Sequence, residues 1–384
     1  MSQSVEEFLQ SLQGQLNYDN SPITIVLAAG HGKRIKSNTS KMLHEIWGEP
    51  TSVRVINAAS KGLNSPNSIA VVGIKAKEVA EAIDESENGL FALQSEQLGT
   101  GHAAMIALDL IDATQKVGDI YIFPGDMGLL TEDVVSDFQK AFDESGAGMM
   151  ILTGIYEGDP NDNHYGRIVR VPQTDIDGNS SRDDCRKVIE IKEYKDVLVI
   201  EGDYILNYNG KKYKYTRDEL LGINEYNSGV YACKYNYIND HIRKIGTDNA
   251  QGEVYITDLI KKFNNNGIAV DAHPSLTNEA VMGFNTKSVL YDMNNIYRDK
   301  VYEKLKDLVT FEDKDDFFIA DEVVEQLLQL EKKHTVLDIY IGKGVYIGAD
   351  VTLSRNVTVE RNSILTAEMT LGEDAFVNQN SVIE

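Results

Sequence analysis

Lys33, Arg34 and Lys41 stand close together in the chain, just after a stretch with almost no side-chain volume: Ala28, Ala29, Gly30 and Gly32. Small residues let backbone N–H groups approach a phosphate ester that larger side chains would hold away. The cations supply the charge that a triphosphate needs and a merely tight turn does not. The pattern reads as an anion cradle. Two familiar glycine motifs are excluded by spacing. A P-loop places four residues between its first glycine and the Gly-Lys-Ser/Thr, and a dinucleotide fingerprint has a third glycine where Ile35 stands. Nor does the chain show a Ser-His-Asp or Cys-His grouping that would suggest a covalent nucleophile.

The cradle needs a scaffold, and the flanking sequence describes one. Short apolar runs at residues 23–27, 69–72, 120–123 and 149–153 alternate with amphipathic stretches at 51–62, 75–84, 101–111 and 132–144. Such alternation predicts a largely parallel sheet flanked by helices. Ligands in that architecture sit at the carboxyl ends of strands. Residues 28–41 and Gly125-Asp126 each follow a strand directly, so they are expected on one rim.

The loop from Leu27 to Arg34 resembles the signature of sugar-1-phosphate nucleotidylyltransferases, Leu-Ala-Ala-Gly-x-Gly-x-Arg followed by Pro-Lys, with Ser40 here in place of the proline. Residues 93–102 (LQSEQLGTGH) resemble the base-reading segment of N-acetylglucosamine-1-phosphate uridylyltransferases. Further matches follow in that family's order: Pro124-Gly125-Asp126, His164-Tyr165-Gly166-Arg167, residues 187–196, Asn227-Ser228-Gly229, residues 249–258 (NAQGEVYITD) and residues 281–285 (VMGFN). Together they span residues 23 to about 287.

The resemblance implies an α/β fold: a Rossmann-like nucleotidyltransferase domain with a mixed, mostly parallel sheet. It also implies a reaction, the magnesium-dependent formation of UDP-N-acetylglucosamine and pyrophosphate from UTP and N-acetylglucosamine 1-phosphate. By the same resemblance Leu27, Ala28, Ala29, Gly30 and Gly125 offer backbone to the nucleotide, while Gln94, Gly99 and Thr100 read the uracil edge. Arg34 and Lys41 hold the triphosphate, Lys41 reaching toward the sugar phosphate. Asp126 and Asn285 are the implied Mg²⁺ ligands, both hard oxygens. Gly166, Glu193 and Asn227 hold the sugar, and His44, His102 and His164 read as structural companions. The chain departs from the family at Pro124, at Gly128 and in a Tyr-, Lys- and Asn-rich insert at 204–221, expected to be a surface elaboration, with a substrate lid as the alternative, and with a hairpin turning at Asn209-Gly210. Other readings are the same transfer with a different sugar 1-phosphate or nucleotide, a non-catalytic nucleotide-sugar-binding scaffold, and a bifunctional acetyltransferase seen in part.

At 384 residues with 60 acidic against 37 basic side chains, a net charge of −23, a nucleic-acid or anionic-membrane partner is not expected. Two cysteines without metal-ligand spacing suit a reducing compartment, and no apolar run approaches a bilayer span, so the expected location is cytoplasmic. Residues 1–21 read as an N-terminal extension with helical spacing at Val5, Phe8, Leu9 and Leu12, and 22–287 as the nucleotidyltransferase domain. Residues 288–334 read as a helical linker.

From residue 335 the chain carries a repeat. Ile341, Ile347, Leu353, Val359, Leu365, Leu371, Val377 and Ile383 recur at a spacing of six. This is the hexapeptide pattern of a left-handed parallel β-helix, three hexads to a coil. The bifunctional relatives carry a longer β-helix that transfers acetyl groups with a His base; no His follows His334 here. The short tail is expected to hold a homotrimer together.

Overall fold

The computed structural model describes residues 3–30, 32–83, 87–247, 252–334 and 336–384. Lys33's side chain, residues 249–251 of the NAQGEVYITD block, Asp84 at the end of an expected helix and Thr335 at the expected start of the tail lie outside the described residues. The chain divides into two compact units, Met1–His44 with Pro50–Asn285, and Glu45–Glu49 with Thr286–Glu384.

In the first unit the apolar runs become strands β1 (Ile23–Ala28), β2 (Ser68–Val72), β3 (Gly89–Leu93), β4 (Ile120–Pro124), β5 (Met149–Ile155), β6 (Arg167–Arg170), β7 (Val188–Lys192), β8 (Tyr204–Tyr208), β9 (Lys211–Tyr215), β10 (Glu225–Cys233) and β11 (Val270–Pro274). Nine of them form one sheet in the order β11-β5-β10-β4-β1-β2-β3, with β6 on β10 and β7 on β6. β1 runs parallel to β2 and β4, whereas β10 is antiparallel to β4, β5 and β6. Near-continuous Val/Ile/Leu runs suit strands covered on both faces. Ile25 packs with Ile69 and Ile122 on one side, while its neighbour Val26 packs with Phe123 and Phe138 on the other.

Helices α1 (Val5–Ser11), α2 (Thr51–Gly62), α3 (Ala76–Ile83), α4 (Thr100–Leu108) and α5 (Glu132–Ser145) cover these faces, followed by the single turns α6 (Tyr194–Leu198) and α7 (Arg217–Leu221). Ser4 and Glu7 form a reciprocal capping box at the start of α1. Leu9 then buries against Val79 and Ala80 of α3. The insert folds as the β8–β9 hairpin, with Asn209 and Gly210 both at positive φ as a two-residue turn requires.

The second unit holds α8 (Lys287–Leu305), α9 (Asp321–Glu331) and β12 (Val309–Phe311), β13 (Phe317–Ile319), β14 (Ile339–Ile341), β15 (Val345–Ile347), β16 (Val351–Leu353), β17 (Thr358–Val359), β18 (Ile364–Leu365), β19 (Met369–Leu371), β20 (Phe376–Val377) and β21 (Val382–Ile383). These strands stack as three parallel sheets, β12-β14-β17-β20, β13-β15-β18-β21 and β16-β19, the three-faced arrangement of a left-handed β-helix. Repeat residues from Ile341 to Val377 point inward and are buried, whereas Ile383 in β21 is 36% exposed. Within the expected linker of 288–334, β12 and β13 pair with β14 and β15. β12 and β13 start eight residues apart and α9 then separates β13 from β14, so no spacing of six marks this coil.

Candidate functional site

Leu27 and Pro124 are register partners at the carboxyl ends of β1 and β4, so the glycine loop and Gly125-Asp126 leave the sheet side by side. The Gly125 N–H donates to the Leu27 carbonyl at 3.1 Å. A cavity of about 430 Å³ opens at this rim. Of the sequence-predicted residues, Leu27, Ala29, Gly30, Gln94, Gly99, Thr100, Glu193 and Asn227 line it. Residues expected to read a base and residues expected to hold a sugar therefore face one space.

On the first side, Gly99 occupies the N-cap of α4 and Thr100 opens the helix. Buried Gln94 donates from Nε2 to the Gly99 carbonyl at 3.2 Å and lies 3.2 Å from His102 Nδ1. Gln97 donates to the Ala29 carbonyl at 2.5 Å, tying this segment to the cradle. Val254 zips against it through Val254 N to Leu98 O and Gly101 N to Val254 O, each at 2.8 Å.

On the opposite side, the Arg167–Lys192 register of β6 and β7 places Gly166 beside Glu193. A Cβ at position 166 would lie 2.9 Å from Glu193 Oε1, so only glycine leaves the carboxylate its place. The Gly166 carbonyl accepts from Asn227 N at 2.8 Å. The Asn227 side chain is fixed at both ends, donating to the Tyr231 hydroxyl at 2.8 Å and accepting from Gly229 N at 3.0 Å. Burial raises the Glu193 carboxyl above its ordinary range, and Asp196 adds to this while Arg167 opposes it. Arg167 is fully buried and donates to the carbonyls of Asn163 (2.7 Å) and Tyr165.

Lys41 is the meeting point of three distant segments. Its ammonium lies 2.5 Å from Asp126 Oδ2, donates to Asn285 Oδ1 at 3.0 Å and sits 5.4 Å from the centre of the Phe284 ring. The two expected metal ligands thus aim hard oxygens at one cation. Mg²⁺ keeps several waters and uses one or two protein oxygens, so this donor set fits it. Among the described residues there is no group of three or more His, Cys, Asp or Glu that could hold a metal by itself.

Two further expected residues are not in the cavity lining. Ala28, expected to offer its backbone, packs its side chain with Met42 and Val72. Arg34 is exposed in the 3-10 turn Lys33–Ile35, outside the cavity lining. Conversely, Gln97, Tyr231, Glu253, Tyr255 and Thr257 line the cavity without having been assigned a role, as does Pro124, noted only as a departure from the family. Alternation at 253, 255 and 257 within a recognised block was the available signal. Tyr231, four residues beyond Asn227 on the same strand, had none.

Residues 24–162 match the model of the MobA-like NTP transferase domain. Among curated proteins, the chain is 32% identical over 281 residues to the bifunctional protein GlmU of Geobacter metallireducens, covering 73% of this chain and 51% of that one. It is 32% identical over 302 residues to the bifunctional protein GlmU of Thermoanaerobacter pseudethanolicus, covering 78% and 57%. The match thus spans little more than half of these relatives. A solved structure from Bacillus anthracis, provisionally named a glucose-1-phosphate thymidylyltransferase, superposes with a TM-score of 0.51 at 16% identity, over 72% of this chain and 96% of that one. No helix among the described residues is long and apolar enough to cross a membrane. The chain has a nucleotidyltransferase fold related to the MobA- and GlmU-like sugar-1-phosphate nucleotidyltransferases.

Proposed function

We propose that this chain is a magnesium-dependent uridylyltransferase that forms UDP-N-acetylglucosamine and pyrophosphate from UTP and N-acetylglucosamine 1-phosphate. One observation carries the reading: Gln94, Gly99 and Thr100 share a single cavity with Glu193 and Asn227, and Lys41 is held by Asp126 two residues beyond Pro124 in its wall. In this reaction an oxygen of the sugar 1-phosphate attacks the α-phosphorus of UTP. The bond from that phosphorus to the bridging oxygen breaks, and pyrophosphate leaves with the electron pair. The attacking oxygen is already ionised, so the protein must align two anions and offset their charge rather than supply a base.

Lys41 is pre-positioned for that charge, and Arg34 is free in solvent to turn toward the triphosphate. Glu193 can accept from two neighbouring hydroxyls of a hexose, and Asn227, fixed by Tyr231 and Gly229, adds a rigid amide. Mg²⁺ held through Asp126 and Asn285 would supply further neutralisation at the phosphates. The family's reach over residues 24–162 and the GlmU relatives support the same reading. We place the protein in the cytoplasm, consistent with the free thiols Cys185 and Cys233, and assign the β-helix to a homotrimer contact.

A pyrophosphate-release panel tests this, with several sugar 1-phosphates against four nucleoside triphosphates, with and without Mg²⁺. Release is expected to be fastest with UTP and N-acetylglucosamine 1-phosphate and to require the metal. A different best pair reassigns the substrate. No release from any pair, with nucleotide still bound, makes the chain a scaffold.

A further inference from the structure

The 204–221 insert is packed, and it contributes no residue to the cavity lining. Tyr208, Tyr213, Tyr215 and Leu220 build a small core of their own with Val169, Val171, Ile189 and Val197. Those partners belong to β6, the residue after it, β7 and α6, the segments whose adjoining ends carry Gly166 and Glu193. Tyr213 is fully buried, and Tyr215 donates its hydroxyl to the Arg170 carbonyl at 3.0 Å. Tyr204 of β8 donates to Glu190 Oε2 of β7 at 2.6 Å, and the Lys192 ammonium of β7 lies 4.7 Å from the centre of the Tyr204 ring. The insert's last turn, α7, packs on α6, the turn that Glu193 opens as N-cap.

β6 and β7 bury one face, with Ile168, Val188 and Ile191, in the main core and join β10 at the Tyr226–Arg167 register pair, which leaves the opposite face, with Val169 and Ile189, to be covered. The insert supplies that face. We propose that the 204–221 insert is a brace for the wall that presents Gly166 and Glu193, and that Tyr204 is a positioning residue acting through β7 on the Glu193 carboxylate. This deepens the transfer reading, since it makes the insert a determinant of sugar 1-phosphate binding and leaves nucleotide binding to the cradle.

Tyr204→Phe removes the hydrogen bond while keeping the ring, and Leu220→Ala loosens the packing of α7 on α6. Hydrogen exchange of the full chain should show faster exchange in residues 188–198 for both variants, with residues 23–30 and 120–124 unchanged. In steady-state kinetics the sugar 1-phosphate KM should rise about 5- to 10-fold with the UTP KM within twofold, and calorimetric titration with the sugar 1-phosphate should show the same loss. Unchanged exchange in 188–198 for both variants overturns the brace. So does a rise of both KM values in step, which marks a general loss of stability. If the parent chain transfers nothing, the transfer reading fails, and the exchange comparison still decides the brace by itself.

Discussion

Replacing Lys41 by Ala probes the charge centre of the site from two directions. The Lys41 and Asp126 side chains are only 11% and 14% exposed, so removing the ammonium leaves a largely buried carboxylate and the Asn285 amide oxygen without their donor. Stranding such groups costs about 1–3 kcal/mol, and at about 2 °C per kcal/mol for a unit of this size the metal-free variant should melt about 2–6 °C lower. Magnesium should then act more strongly on the variant than on the parent. In the parent the ion would compete with the ammonium for the same two oxygens; in the variant it would meet them free. An ion at about 100 times its Kd stabilises by about 2.7 kcal/mol, enough to return most of the deficit. Turnover should nonetheless fall by about 10²- to 10³-fold, the loss seen when one preorganised charge donor is removed. Scanning calorimetry across a magnesium series, paired with pyrophosphate release, measures both. A magnesium-induced shift equal in parent and variant refutes the shared-oxygen reasoning, and turnover within twofold of the parent removes Lys41 from the mechanism.

Asp126→Asn should raise the magnesium concentration for half-maximal rate, with Asn285→Ala acting in the same direction; two unchanged magnesium curves would place the ion elsewhere. Glu193→Gln should weaken sugar 1-phosphate binding about tenfold or more while raising the melting temperature near neutral pH. Burial raises the folded-state carboxyl, so its ionisation opposes folding once pH exceeds the unfolded value, and that opposition is complete above the folded one. The gain should therefore vanish at acid pH, where both states are protonated; a gain independent of pH would contradict the sign. In the tail, a cut at residue 335 would strip β12 and β13 of their partners, so surface substitution is the cleaner probe. Phe376 in β20 and Val382 in β21 are 61% and 58% exposed. Changing both to Lys should lower the mass seen by light scattering, and an unchanged mass would remove this surface from any assembly role.

Local pattern carried a large part of the architecture into view. An apolar run closed by Ala-Ala-Gly can be read as a strand and cradle from its own residues, because strand burial and backbone approach depend on neighbours in sequence. The same holds for the hexads, where a spacing of six reports an inward column directly, and for the Asn209-Gly210 turn. Tertiary structure decided what distance in the chain conceals. Lys41 meets Asn285 across 244 positions, and nothing local to either residue specifies that pairing. The first coil of the β-helix was hidden because β12 and β13 start eight residues apart and α9 separates β13 from β14, so no spacing of six marks it. Nor could sequence show whether the 204–221 insert hangs free or packs, since its tyrosines read equally as exposed polar rings or as core. Burial of Tyr213 with Val169 and Ile189 answers that, and burial is a property of the assembled fold, set by which surfaces meet.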